Sequence, residues 1–293
     1  MNLESLKRAS GFFYGVVSSA TFGLIPLFTV PLLTTEGMPF MSVLTYRFIF
    51  ATFFLALLLL FRKQNFKVRL QDLWRLALLA GFYIVSSLFL IWGYTFMFSG
   101  VATTIHFMYP VITTLLMMFL FHEKKSAWRI GAVLTAIAGV YFLSMGGSSG
   151  DFDWAGVVIV LISALGYAVY LVAIGQMKRL EVKGLKLTFY VFLLSTLMLL
   201  AGMLTFGDLV PVSGASQKTN LLLLAFIPTV ISNLTLVESI KRIGSTLTSV
   251  LGAMEPLTAV LVGILVFGEE FTQNIALGVL LIVSAVCVII LKR

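Results

Sequence analysis

MYPVITTLLMMFLFHE, residues 108–123, recurs in altered form as MEPLTAVLVGILVFGE, residues 254–269. Each phrase sets Met-X-Pro inside an apolar run and closes on Glu, with Tyr109 as X in the first and Glu255 in the second. The two phrases stand 146 residues apart, and an upstream set repeats at nearly the same distance. Gly11, Ser18, Phe22 and Gly23 align with Gly156, Ser163, Tyr167 and Ala168 at a constant 145. The chain therefore reads as two copies of one unit, placed at residues 1–147 and 148–293.

Composition names the solvent. The 293 residues are 60% hydrophobic and 11% charged, with a mean hydropathy of +1.06, more apolar surface than a soluble core of this size can hide. Apolar stretches of roughly 18 residues or more, enough to cross about 30 Å of hydrocarbon, recur down the chain and leave no soluble domain between them. Ten spans are predicted: Ser10–Leu33, Met41–Phe61, Trp74–Phe98, Val101–Phe121, Trp128–Met145, Trp154–Gly175, Leu187–Phe206, Leu221–Ile240, Ser245–Phe267 and Thr272–Leu291. The first resembles a secretory leader in its Lys-Arg then apolar pattern, but its length and its later counterpart argue for keeping it as a span.

Charge sets the expected orientation. Of the 20 basic residues, all but Arg47 and Lys218 fall in alternate connections: Lys7 and Arg8, the 62–75 group, Lys124 to Arg129, Lys178 to Lys186, Lys241 with Arg242, and Lys292 with Arg293. The opposite connections hold Glu36, Asp151, Asp153, Asp208, Glu269 and Glu270. The positive-inside rule then puts both termini in the cytoplasm of a multi-pass protein of the cell membrane. It also accounts for the net charge of +8 without nucleic acid. The fold class is an all-α membrane protein with ten transmembrane helices. Because each unit contributes five, an odd number, the second copy is inverted relative to the first.

The Met108-Tyr109-Pro110 phrase ending in Glu123, the Met254-Glu255-Pro256 phrase ending in Phe267-Gly268-Glu269, and the stretches SSATFG and SALGYA together resemble the drug/metabolite transporter superfamily. The resemblance is to its ten-span EamA branch and covers residues 10 to 292. The family usually places Gly before the closing Glu, where this chain has His122 in the first half. The resemblance implies a basket of ten helices with a central cavity lined mainly by spans 1 to 4 and 6 to 9. It also implies a role in moving small metabolites, amino acids among them; more distant relatives carry nucleotide sugars and sugar phosphates.

Polar residues inside apolar spans mark the candidate site. A carboxyl near the bilayer centre costs on the order of 2.5–3.5 kcal/mol on insertion scales, so Glu255 is expected to face a cavity or a partner. It is a candidate proton carrier or ligand for a substrate amine, against the alternative of a structural hydrogen bond to a neighbouring helix. Thr248, Gly252 and Ala259 share its face. Arg47 lies about two turns into span 2, where its guanidinium could hold a substrate carboxylate, pair with Glu255, or snorkel to the surface. His106, one turn from Tyr109 in span 4, is either a proton relay or a hydrogen-bonded packing residue. Isolated serines such as Ser86, Ser87 and Ser232 are expected to bond their own helix carbonyls, which leaves Asn233 as the polar candidate of span 8.

Pro110 and Pro256 each remove a backbone donor near mid-span, permitting a bend that gates a path or shapes the bundle. Gly11, Gly15, Ser19 and Gly23 recur every fourth residue and form a helix-packing stripe. Tyr167 with Tyr170, and Phe82 with Tyr83, Trp92 and Tyr94, either stack a planar solute or fill core.

No metal-ligand cluster, nucleophile triad or phosphate loop is present; GGSSG at 146–150 has no following Lys. The one cysteine, Cys287, excludes an internal disulfide. The expected protein is not an enzyme and takes no cofactor or metal. Its partners are a small-molecule substrate and the lipid bilayer, with no nucleic acid; a homodimer is left open. The expected activity is secondary transport of small polar metabolites, most readily export of amino acids or related compounds, by proton antiport or facilitated diffusion. A sugar-nucleotide or sugar-phosphate carrier would want several basic residues within the spans, and only Arg47 is there; a membrane sensor without transport is the alternative from another class.

Overall fold

The computed structural model of the protein describes residues 3–121, 127–145, 154–177, 182, 184–206 and 209–291. His122, Glu123, Lys124, Lys125, the 146–150 connection, Asp151, Asp153, Lys178, Arg179, Lys183, Asp208, Lys292 and Arg293 lie outside them. Every regular element among the described residues is helical. In chain order these are α1 (Leu3–Phe22), α2 (Ile25–Thr34), α3 (Phe40–Phe61), α4 (Leu70–Gly93), α5 (Ser99–His106), α6 (Tyr109–Leu120), α7 (Ala127–Met145), α8 (Trp154–Gln176), α9 (Leu185–Phe206), α10 (Ala215–Ala225), a π-helical turn (Phe226–Ile231), α11 (Ser232–Leu251), α12 (Met254–Phe267) and α13 (Gln273–Leu291).

Seven stretches are long and apolar enough to cross a membrane: Arg8–Thr34, Phe40–Phe61, Leu70–Gly93, Ser99–Leu120, Trp154–Ile174, Leu185–Met203 and Ala215–Ile243. Ile130–Leu143, Met254–Phe267 and Gln273–Val288 are shorter apolar helices. Local chemistry sets the ends. Pro39 stands as the N-cap of α3 in an extended conformation, and the helix stops at Arg62, followed by Lys63 at φ 50°. Helix α12 stops at Gly268, whose left-handed φ of 65° lets the Glu269 N–H reach the Gly263 carbonyl at 2.9 Å, a glycine-dependent termination.

Three expected continuous spans are broken instead. The first is α1 and α2 joined at Gly23–Leu24, with Pro26 in the first turn of α2. The fourth is α5 and α6 joined at Phe107–Met108. Helix α11 likewise ends at Leu251 and α12 starts at Met254. Pro110 and Pro256 therefore occupy the first turns of α6 and α12 rather than bending a continuous helix. A first-turn N–H has no intrahelical acceptor, so proline there costs little.

The boundary expected near Lys241–Arg242 falls inside α11, where helical hydrogen bonding persists. Even so, the Ser239 and Thr248 hydroxyls meet at 2.8 Å. Nine residues of straight α-helix would hold them about 13 Å apart along the axis, so the chain reverses direction between them.

The same contact occurs in the first copy. Tyr94 and Thr103, each 145 residues earlier, bring their hydroxyls to 3.1 Å. A second matched pair joins the copies. The Ser18 hydroxyl on α1 donates to the Ser232 carbonyl at 2.9 Å, and the Ser163 hydroxyl on α8 donates to the Ser86 carbonyl at 2.5 Å. Each unit thus packs its first helix against the third span of the other, α1 on α11 and α8 on α4, while α7 lies along α13. The core divides into one buried group around Leu32, Leu90, Ile105 and Ile282 and another around Leu44, Phe48, Leu79 and Phe192.

Candidate functional site

Pro228 initiates the part of the site that holds Arg47. Its ring nitrogen has no proton for the Leu224 carbonyl four residues back. The Thr229 hydroxyl donates to that carbonyl at 3.0 Å, and the backbone widens into the π-helical turn. The same Thr229 oxygen accepts the Arg47 Nε–H at 3.0 Å. Asn233 closes the node, its Nδ2 donating to the Thr229 carbonyl at 2.6 Å. Arg47 is 1% exposed, so it does not snorkel, and Thr229 engages one of its five N–H donors.

The expected roles of serine and asparagine in span 8 are exchanged. Asn233 bonds its own helix, whereas Ser232 donates across the interface to the Ser18 carbonyl at 3.0 Å. Thr229 was missed as a site residue; the Pro228-Thr229 dipeptide inside an apolar run is the signal that marks it.

Glu255 sits in the first turn of α12, a favourable end of the helix dipole for a carboxylate. It is 4% exposed, and its Oε1 has no hydrogen-bond partner among the described residues. Its backbone carbonyl faces Gly23, where an added Cβ would lie 2.4 Å away. The rest of the small-residue stripe packs on α11 instead: Gly11 meets Arg242 and Ile243, and Gly15 meets Ser239 and Leu251. Ser19 is buried with them.

His106 ends α5 and is 1% exposed. Ser163 has one hydroxyl proton, which goes to the Ser86 carbonyl, so its 2.9 Å contact with His106 Nδ1 makes that nitrogen the donor. Tyr109 and Tyr167 flank the imidazole, at 5.7 and 5.6 Å between ring centres, and stack edge to face on each other at 4.7 Å. Tyr83 and Tyr170 extend the cluster.

The structure brings His106 and Tyr109 together, and Arg47 with Asn233 through Thr229. Arg47 and Glu255 are not joined. The ion pairs among the described residues are Arg75–Asp72 and Glu238 with Lys241 and Arg242. Tyr83 contacts Tyr167, which contacts His106 and Tyr109, so these rings form one continuous interior cluster. No group of three His, Cys, Asp or Glu able to hold a metal occurs among the described residues.

This two-copy framework with conserved spacing of its polar contacts has a counterpart in known sequences. The profile of the EamA-like transporter family matches residues 9–145 and again 154–291. The chain belongs to the EamA-like transporter family. Among curated proteins it is 26% identical over 287 residues to the uncharacterized transporter YojE of Bacillus subtilis (strain 168), covering 93% of this chain and 90% of that one. A solved crystal structure shares the fold, with a TM-score of 0.69 at 18% identity and 96% coverage of both chains. An EamA-like chain of this kind is a multi-pass membrane transporter.

Proposed function

We propose that this EamA-like transporter exports small polar metabolites, amino acids or related compounds, by alternating access, with all ten apolar helices crossing the cell membrane and both termini in the cytoplasm. The observation that carries the reading is the state of its two interior charges. Arg47 and Glu255 come from different copies of the repeat, both are buried, and neither neutralises the other. A zwitterion supplies what each lacks: a carboxylate for the guanidinium and an ammonium for the carboxylate. In the absence of solute, Glu255 takes up a proton, and exchange of that proton for solute couples export to the proton gradient.

Efflux from proteoliposomes loaded with labelled amino acids, nucleobases or sugar nucleotides, with and without an imposed pH gradient, tests this. Release of an amino acid, accelerated by the gradient in the native chain but not in Glu255→Gln, is the expected result. Gradient-driven release that survives in Glu255→Gln would eliminate the coupling role, and release confined to sugar nucleotides would eliminate the substrate class.

A further inference from the structure

Away from the interior site, the loop from α3 to α4 meets the start of α9 around an open cavity of about 530 Å³. Its polar lining is Gln64, Asn65, Lys67, Arg69, Asp72 and Lys186. The arrangement is braced: Lys186 Nζ donates to Asn65 Oδ1 at 2.9 Å and also to the Lys67 carbonyl, and the Tyr190 hydroxyl donates to the Phe66 carbonyl. An ammonium has three donors, so one remains on Lys186. The Lys67 ammonium has no partner among the described residues. The single acid among the described lining residues, Asp72, is occupied by Arg75 at 2.8 Å. Among the described residues, two cations with free donors, Lys67 and Lys186, thus line one cavity together with Arg69, and the one carboxylate there is already neutralised. Two helices also begin here, α4 at Leu70 and α9 at Leu185, and their N-terminal dipole ends add to the positive potential.

The surroundings distinguish a lipid from a free anion. Leu70, next to Arg69, is 82% exposed; Trp74 is 61% exposed, and Leu78 follows on the same face. Exposed residues at i, i+4 and i+8 form an apolar stripe that starts at the cavity rim and runs along α4. An indole at its upper turn suits the headgroup level of a bilayer.

We propose that this cavity binds the phosphate headgroup of an anionic phospholipid, with the acyl chains lying along Leu70, Trp74 and Leu78. Cation pockets between helices at the basic side of a membrane protein recognise such headgroups.

Trp74 is a built-in reporter. In uncharged detergent, the part of the tryptophan fluorescence that is lost in Trp74→Phe should be quenched by phosphatidylglycerol with brominated chains at a much lower mole fraction than by brominated phosphatidylcholine. Lys67→Ala with Arg69→Ala, which leaves the bracing Lys186 in place, should raise the half-quenching fraction for phosphatidylglycerol by about tenfold or more. Lys67→Arg with Arg69→Lys should keep the preference, separating charge from loop integrity. Equal quenching by the two lipids, or no change in the alanine variant, would overturn the proposal. Displacement of phosphatidylglycerol by millimolar inorganic phosphate would also overturn it, assigning the cavity to a soluble anion.

Discussion

Replacing Thr229 by Val keeps the side chain's shape but leaves both the Arg47 Nε–H and the Leu224 carbonyl without their partner. Unpaired buried groups of this kind cost about 1–3 kcal/mol each, so Thr229→Val is expected to lower the thermal midpoint in detergent and to impair transport. Thr229→Ser, which restores the hydroxyl, should recover most of both, and equal damage from the two would show that the methyl group, not the hydroxyl, matters. Ser163 invites a parallel test. Ser163→Ala strands the His106 Nδ1–H and leaves the Ser86 carbonyl with its helical donor alone; it should destabilise by about 1–3 kcal/mol, measured by the same unfolding transition. Glu255 and Arg47 stand out in the sequence because charge in an apolar span is costly anywhere along it. Thr229 does not, because a threonine in such a span usually bonds its own helix, and only the chain crossing from α3 makes it an acceptor for Arg47.

The α1 stripe shows how an element reads differently from its residues. Gly15 and Gly23 look equivalent in the four-residue spacing, but an added methyl at Gly15 meets side-chain atoms of Leu251 and Ser239, whereas at Gly23 it meets the Glu255 backbone carbonyl. Backbone cannot rotate aside. Gly23→Ala should therefore destabilise by about 1–3 kcal/mol and displace Glu255. Gly81 within α4 has nothing within 4 Å of an added methyl, and Gly81→Ala should be neutral or stabilise by up to about 1 kcal/mol through helix propensity. Unfolding midpoints of the pair check the contrast; equal effects would remove the close-approach argument. The half-helix breaks belong to this scale too. Proline marks where a break is tolerated, but its position in the first turn of α6 and α12 depends on the preceding residues Phe107–Met108 and Gly252–Ala253 leaving the α-helical hydrogen-bond pattern.

For the whole molecule, the orientation inferred from charge is open to a direct check. Cys287 is the single cysteine, so Cys287→Ser gives a background for Glu36→Cys and Lys63→Cys. A membrane-impermeant maleimide added to intact cells should label residue 36, and should label residue 63 only after permeabilisation; the reverse pattern would invert the topology. Apolar length, the segregation of Lys and Arg, and the two Met-X-Pro phrases together determined a helical membrane protein built from two related units, because these features are carried by local composition and by repetition along one chain. Tertiary structure alone decided that Ser18 meets Ser232 while Ser163 meets Ser86, that Arg47 rests on Thr229, and that Glu255 is left without Arg47. Those contacts join residues far apart in sequence, and their partners are fixed by how helices of opposite units pack, a geometry that no span encodes within itself.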